Sequence, residues 1–217
     1  HYADRVSDPK LQAEMRGFCV QEGFHRREHE RYNSELCERR GYDYDYLNGR
    51  IEKNVKLSKK LLSPLEQLAS TAALEHITAI MAESWLDPDN PETPAVEKPM
   101  RELWDWHAAE EMEHKAVAFD VGQLVGVSEK LRRKSMRQSV FFLAWDILVG
   151  VLHMLKRDGR LWSWRTWREG WSFLFSVDGV IRRLAPAYRE WYREGFHPWQ
   201  RDTRPLLARW QAAQVAA

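Results

Sequence analysis

Cysteine is nearly absent: the 217 residues hold only Cys19 and Cys37. Two thiols cannot staple a disulfide scaffold. On one helix they would sit on the order of 27 Å apart, too far to bridge. Reduced thiols in a cytoplasmic protein are the expectation. A dominant charge is also lacking, because a net charge of +1 does not describe a general polyanion binder. Alternating strand patterns are missing, which argues against a sheet. The longest apolar run, Val140 to Leu155, is interrupted by Asp146 and His153 and falls short of a comfortable bilayer span. It reads as a buried helix. No signal peptide is visible, and the opening His1-Tyr2-Ala3-Asp4-Arg5 reads like the interior of a longer chain.

What is present is helical periodicity, with 44% hydrophobic and 30% charged residues in the balance of a soluble globular protein. Ser7-Asp8-Pro9 opens a first helix that runs to about Arg40, before Gly41. Residues 42–60 read as a connection with at most a short helix. Ser63-Pro64-Leu65-Glu66 has the form of a capping box and starts a second helix reaching about Leu86. Asp87 to Thr93 reads as a loop, and a third helix is expected from about Pro99 to Val125. Further helices are expected over 128–157, 163–175 and 177–194, before an aromatic extended segment, Gly195-Phe196-His197-Pro198-Trp199. Long helices with short connections predict an all-α antiparallel bundle in one domain. Residues 1–127 would carry the functional helices. Residues 128–217 would form a basic, Trp-rich helical extension packed on the bundle.

The informative residues are the polar ones on stripes that should be buried. In the first helix, Leu11, Met15, Phe18, Glu22, His25, His29, Tyr32 and Leu36 share one face. In the second, Glu75 sits at the centre of Leu65, Leu68, Ala72, Ala79, Ala82 and Leu86. The small alanines either leave room beside that carboxylate or permit close helix packing. In the third, His107, Glu111 and His114 lie between Met100, Trp104, Ala118 and Val121. Burying such groups without partners costs several kcal/mol each, about 2–7 for a neutral polar group and more for a charge. A lone Glu on such a stripe is more often an edge residue, and a lone His more often a hydrogen-bonded core residue. Three helices each offering such groups at mid-height is a different matter.

Glu22-x-x-His25 and Glu111-x-x-His114 repeat the Glu-x-x-His spacing that sets a carboxylate and an imidazole on adjacent turns. Two-metal carboxylate bundles use two such motifs plus a Glu from each of two other helices. The expected ligands are therefore Glu22, His25, Glu75, His107, Glu111 and His114, for two divalent metal ions, iron first and manganese or zinc as alternatives. One carboxylate is short, so a helix before His1 is expected to carry it, with Asp146 as the fallback donor. His29 is expected to support the ligands. His76 and Glu83, on a neighbouring stripe, either line the cavity or make helix contacts. Glu110, Glu113 and Asp120 are placed on a flank, pairing with basic residues.

The runs QEGFHRREHERYN (21–33), TAALEHITAIMAE (71–83) and LWDWHAAEEMEHKAVAFD (103–120), with GFHPW (195–199), resemble a bacterial family of metal-dependent hydrolases. The resemblance implies a ferritin-like fold and an earlier Glu-bearing helix. The arrangement of His107, Glu111 and His114 is also similar to that of di-iron arylamine N-oxygenases.

Three functions follow as expectations. A dioxygen-activating di-iron oxidase or oxygenase acting on a small organic substrate, fed by an electron donor, is favoured by the paired Glu-x-x-His motifs. A hydrolase using a metal-bridging water is the alternative. A non-catalytic bundle that binds metal, a membrane or a partner is the third. From Leu131 onward there are about sixteen Lys/Arg against about seven Asp/Glu, and eight of the eleven Trp. The interleaved Arg and Trp of residues 161–171 are expected to pack their indoles on the bundle, with a membrane surface as the less favoured reading. No nucleic-acid partner is expected, and self-association is left open.

Overall fold

The computed structural model describes residues 1–90 and 96–215, and among them every regular element is helical. Helix α1 spans Pro9–Arg40, α2 Tyr44–Leu61, α3 Pro64–Leu86, α4 Lys98–His114 and α5 Val117–Val125. Then follow α6 (Glu129–Arg157), α7 (Trp164–Phe175), α8 (Val180–Glu190) and α9 (Arg204–Val215). The expected loop at Asp87 to Thr93 is described only as far as Asn90, where it turns; the remainder lies outside the described residues.

Local chemistry sets most boundaries. Asp8 caps α1 by accepting from Lys10 N, and Gly41, in the left-handed conformation at φ 69°, ends it. Ser63 and Glu66 form the reciprocal capping box of α3, and Ser128 and Ser163 cap α6 and α7 through their hydroxyls.

The centre is α3, which packs against α4, α5, α6 and α8. Its Ala69, Ala72, Ala73, Ala79 and Ala82 are all buried, and their small side chains let the neighbouring backbones approach closely. A main core cluster joins Ala72, Ala73 and Ile77 to Ala118, Phe119, Met136, Trp191 and Phe196. Helix α1 lies along α4 and α5, and α9 covers α4, with Leu206 and Leu207 packing against Met112.

Four expectations are corrected. The connection after Gly41 is an 18-residue helix, capped by the Asp43 carboxylate. Its partners on α6 are distant in sequence: Arg50 and Asn54 bind Asp146 at 2.6 and 2.9 Å, and Tyr46 stacks on His153. The third helix is interrupted at Lys115 and Ala116, immediately after His114. There the Lys115 ammonium turns inward to Arg201 O at 2.7 Å and Thr203 Oγ1 at 3.1 Å, anchoring the C-terminal segment. Burial pulls this amine down to about 8. The run after Val140 is not a buried helix, since Phe141, Phe142, Trp145 and Ile147 are exposed. By length and composition α6 is apolar enough to cross a membrane. Finally, the indoles of residues 161–171 do not pack on the bundle: Trp162, Trp164 and Trp171 are 91%, 80% and 67% exposed.

The link between α7 and α8 has no spare room. A Cβ on Gly179 would lie 2.7 Å from Leu174 O and 2.8 Å from the adjoining carbonyl carbon. Because these are backbone atoms, Gly179→Ala is expected to open the turn at a cost of about 1–3 kcal/mol. Limited proteolysis should then cut residues 160–180 faster than in the parent, while cleavage elsewhere stays unchanged.

Candidate metal centre

Helices α1, α3 and α4 each deliver their mid-height polar residues to one place. His25, Glu111 and His114 are buried, and Glu22 is partly open. One donor atom from each of Glu22, His25, Glu111 and His114 falls within 4.8 Å of the others. Ligands about 2.0–2.2 Å from one ion can be no more than about 4.4 Å apart, so these side chains need draw together by only a few tenths of an ångström.

The orientation of each imidazole is held from its far side. His25 Nε2 lies 2.9 Å from Glu110 Oε2, which turns Nδ1 towards Glu22 Oε1 (3.5 Å) and Glu111 Oε1 (3.3 Å). His114 Nδ1 lies 3.0 Å from Glu75 Oε2, which turns Nε2 towards Glu22 Oε1 at 3.5 Å. His25 Nδ1, His114 Nε2 and Glu111 Oε2 are all buried without a hydrogen-bond partner. Buried orphans of this kind are costly and rare. The two imidazole nitrogens converge on Glu22 Oε1, and with the Glu111 carboxylate beside them they fit the donor set of a divalent metal. A carboxylate binding the outer nitrogen of each imidazole is the usual way such ligands are oriented.

Electrostatics tell the same story. Burial disfavours the His25 imidazolium, but the Glu111 and Glu22 carboxylates outweigh this and push it up to about 10. Burial likewise opposes protonation of His114, and Glu75 raises it. Burial would lift Glu111, yet His25 and the neighbouring imidazoles hold it below the usual carboxylate range. Glu75 goes the other way, raised chiefly by burial. A metal taking these donors would therefore release protons.

The expected residues divide into two groups. Glu22, His25, Glu111 and His114 form the cluster. Glu75 joins it through His114, and His107 through its Nε2, 3.4 Å from Glu111 Oε1. Burial and the nearby His25 pull His107 down to about 4. His29 stands behind it, its ring centroid 4.8 Å from that of His107. Glu28, His29, Tyr32, Trp104, Trp106 and His107 line a small cavity on this side.

Three expected residues are elsewhere. Asp146 is not a donor, because it pairs with Arg50 and Asn54 of α2. His76 is a helix contact: Nε2 faces Ala187 O at 3.3 Å, and its ring packs on Trp191 and Phe196. Glu83 is clamped by Arg201. Two flank residues also find imidazoles rather than Lys or Arg: Glu110 meets His25, and Asp120 meets His197 Nε2 at 2.7 Å. Glu110 was the residue missed. Its one signal was its place beside Glu111, a turn before His114.

No curated protein and no solved structure matches the chain. The family model described as "Predicted metal-dependent hydrolase" matches residues 1–202, which takes in every residue of the cluster and its supports. The chain belongs to that predicted metal-dependent hydrolase family.

Proposed function

We propose that the protein is a metal-dependent hydrolase of a small organic substrate, with its principal ion held by Glu22, His25, Glu111 and His114. The observation carrying this reading is the convergence of two orphaned buried imidazole nitrogens on the Glu22 and Glu111 carboxylates, within residues that the family match spans. A divalent ion held by these residues would supply Lewis acidity and activate water for attack.

The chain's own residues supply the rest. Glu110 and Glu75 fix the two imidazoles. Glu111 Oε1 faces both His25 and His107, so it is placed to be shared should a second ion sit towards His107. His29, beside His107 at the cavity wall, is pulled down chiefly by burial, which favours the neutral form that can accept a proton. Trp104, Trp106 and Tyr32 offer flat apolar surfaces that keep bulk water from this side of the centre.

A di-iron oxidase is the second reading, favoured by the two Glu-x-x-His motifs meeting from α1 and α4. One set of measurements separates the two. Protein loaded with zinc, manganese or ferrous iron is presented with ester, amide and phosphoester panels. Turnover that chelation removes and zinc or manganese restores supports hydrolysis. Dioxygen consumption by the iron form alone, without hydrolysis, supports the oxidase.

A further inference from the structure

We infer that α7 is a peripheral membrane anchor, lying in the headgroup layer of an anionic bilayer. On a helical projection, Trp164, Trp167, Trp171, Leu174 and Phe175 share one stripe, bordered by Arg168 and then Arg165. No α7 residue is buried, and the helix packs chiefly against α8. A 12-residue helix with so little support is marginal in water, and an exposed indole stripe is a costly surface there.

The chemistry of the stripe selects lipid over a second protein. Indole is the side chain enriched at membrane–water interfaces, and a Trp-faced helix with arginines along its border is the pattern of an in-plane anchor. The surrounding charge complements acidic headgroups. Lys156, Arg157, Arg160, Arg165 and Arg168 crowd the segment against two acids: Asp158 is engaged by Arg40 and Tyr42, and Glu169 pairs with Arg165, which leaves the segment net positive. Helix α6, the preceding helix, also exposes apolar side chains at Phe141, Phe142 and Trp145. A spanning role for α6 conflicts with its other contacts. Asp146, in the middle of its apolar stretch, is tied to Arg50 and Asn54 of α2, which would have to follow it into the hydrocarbon.

The test uses the full chain with vesicles of phosphatidylcholine containing phosphatidylglycerol, and with vesicles of phosphatidylcholine alone. The protein should float with the anionic vesicles, with its tryptophan emission shifted to the blue. High salt or alkaline carbonate should release it. Trp164→Ser/Trp171→Ser should bind at least about tenfold more weakly, with unchanged circular dichroism because both side chains are exposed. Arg165→Glu/Arg168→Glu should lose the preference for anionic vesicles. Failure of the parent to float, equal flotation of the tryptophan variant, or resistance to carbonate extraction would each overturn the anchor. So would a parent dimer that the tryptophan variant dissociates without any vesicle binding, since a second copy would then cover the stripe.

Discussion

Glu111→Ala is expected to yield a folded protein that retains almost no metal. Glu111 is the most central donor: one carboxylate oxygen faces His25 Nδ1 at 3.3 Å and His107 Nε2 at 3.4 Å, and the other is buried without a partner. Removing it takes a ligand from the principal ion and leaves two imidazoles facing a gap with no negative charge between them. It also removes one of the two carboxylates that balance His25, leaving Glu22 alone. Loss of a group that only orients a ligand typically lowers affinity or activity about 10–100-fold, and a lost ligand should exceed that. His29→Ala is the informative companion. His29 meets His107 and Trp104 ring to ring and forms no ion pair with the cluster, so metal should stay bound while turnover falls within that 10–100-fold range. Metal content of the two purified variants, by elemental analysis beside the parent, decides the matter. A full complement in the Glu111 variant, or none in the His29 variant, would reverse the two roles.

The second large effect belongs to the core. Trp191 is fully buried, and its ring lies against His76, Phe119 and Phe196, with the Arg132 guanidinium 5.0 Å from the ring centroid. The indole Nε1 donates to Arg132 O at 3.3 Å, while the Arg132 side chain donates back to Trp191 O and, at 3.0 Å, to Arg193 O. These contacts hold α8 and the C-terminal segment to α3 and α6. Trp191→Ala should cost about 3–5 kcal/mol, since large aromatics in cores leave cavities that collapse incompletely. A protein of this size has about 5–15 kcal/mol in all, so the variant should melt about 6–20 °C lower. The loss should also reach the metal centre, because His76, which packs on the indole, adjoins Glu75 in α3. Thermal melting of the ion-free and metal-loaded variant tests both points. A melting temperature within about 2 °C of the parent would show that the core does not depend on this ring.

The boundaries of α1, α3, α6 and α7 were legible from the chain alone, because capping is settled within three or four residues. Asp8 before Pro9, Ser63 with Glu66, Ser128, Ser163 and Gly41 act on their own backbone neighbours whatever the rest of the molecule does. The candidate donors were legible for a related reason. A helix brings positions three and four apart onto one face, so Glu22 with His25, and His107 with Glu111 and His114, fall together before any tertiary contact exists. Which nitrogen of each imidazole turns towards the cluster was beyond the sequence. His25 is set by Glu110, 85 residues away, and His114 by Glu75, 39 residues away. Periodicity contains no term for partners at that distance, so Glu110 read as a flank residue and Asp146 as a spare donor until α2 was seen to claim the latter. The same limit explains the tryptophans. An amphipathic helix announces that it has an apolar face, but only the packing of the other helices decides whether that face is covered, and around α7 it is not.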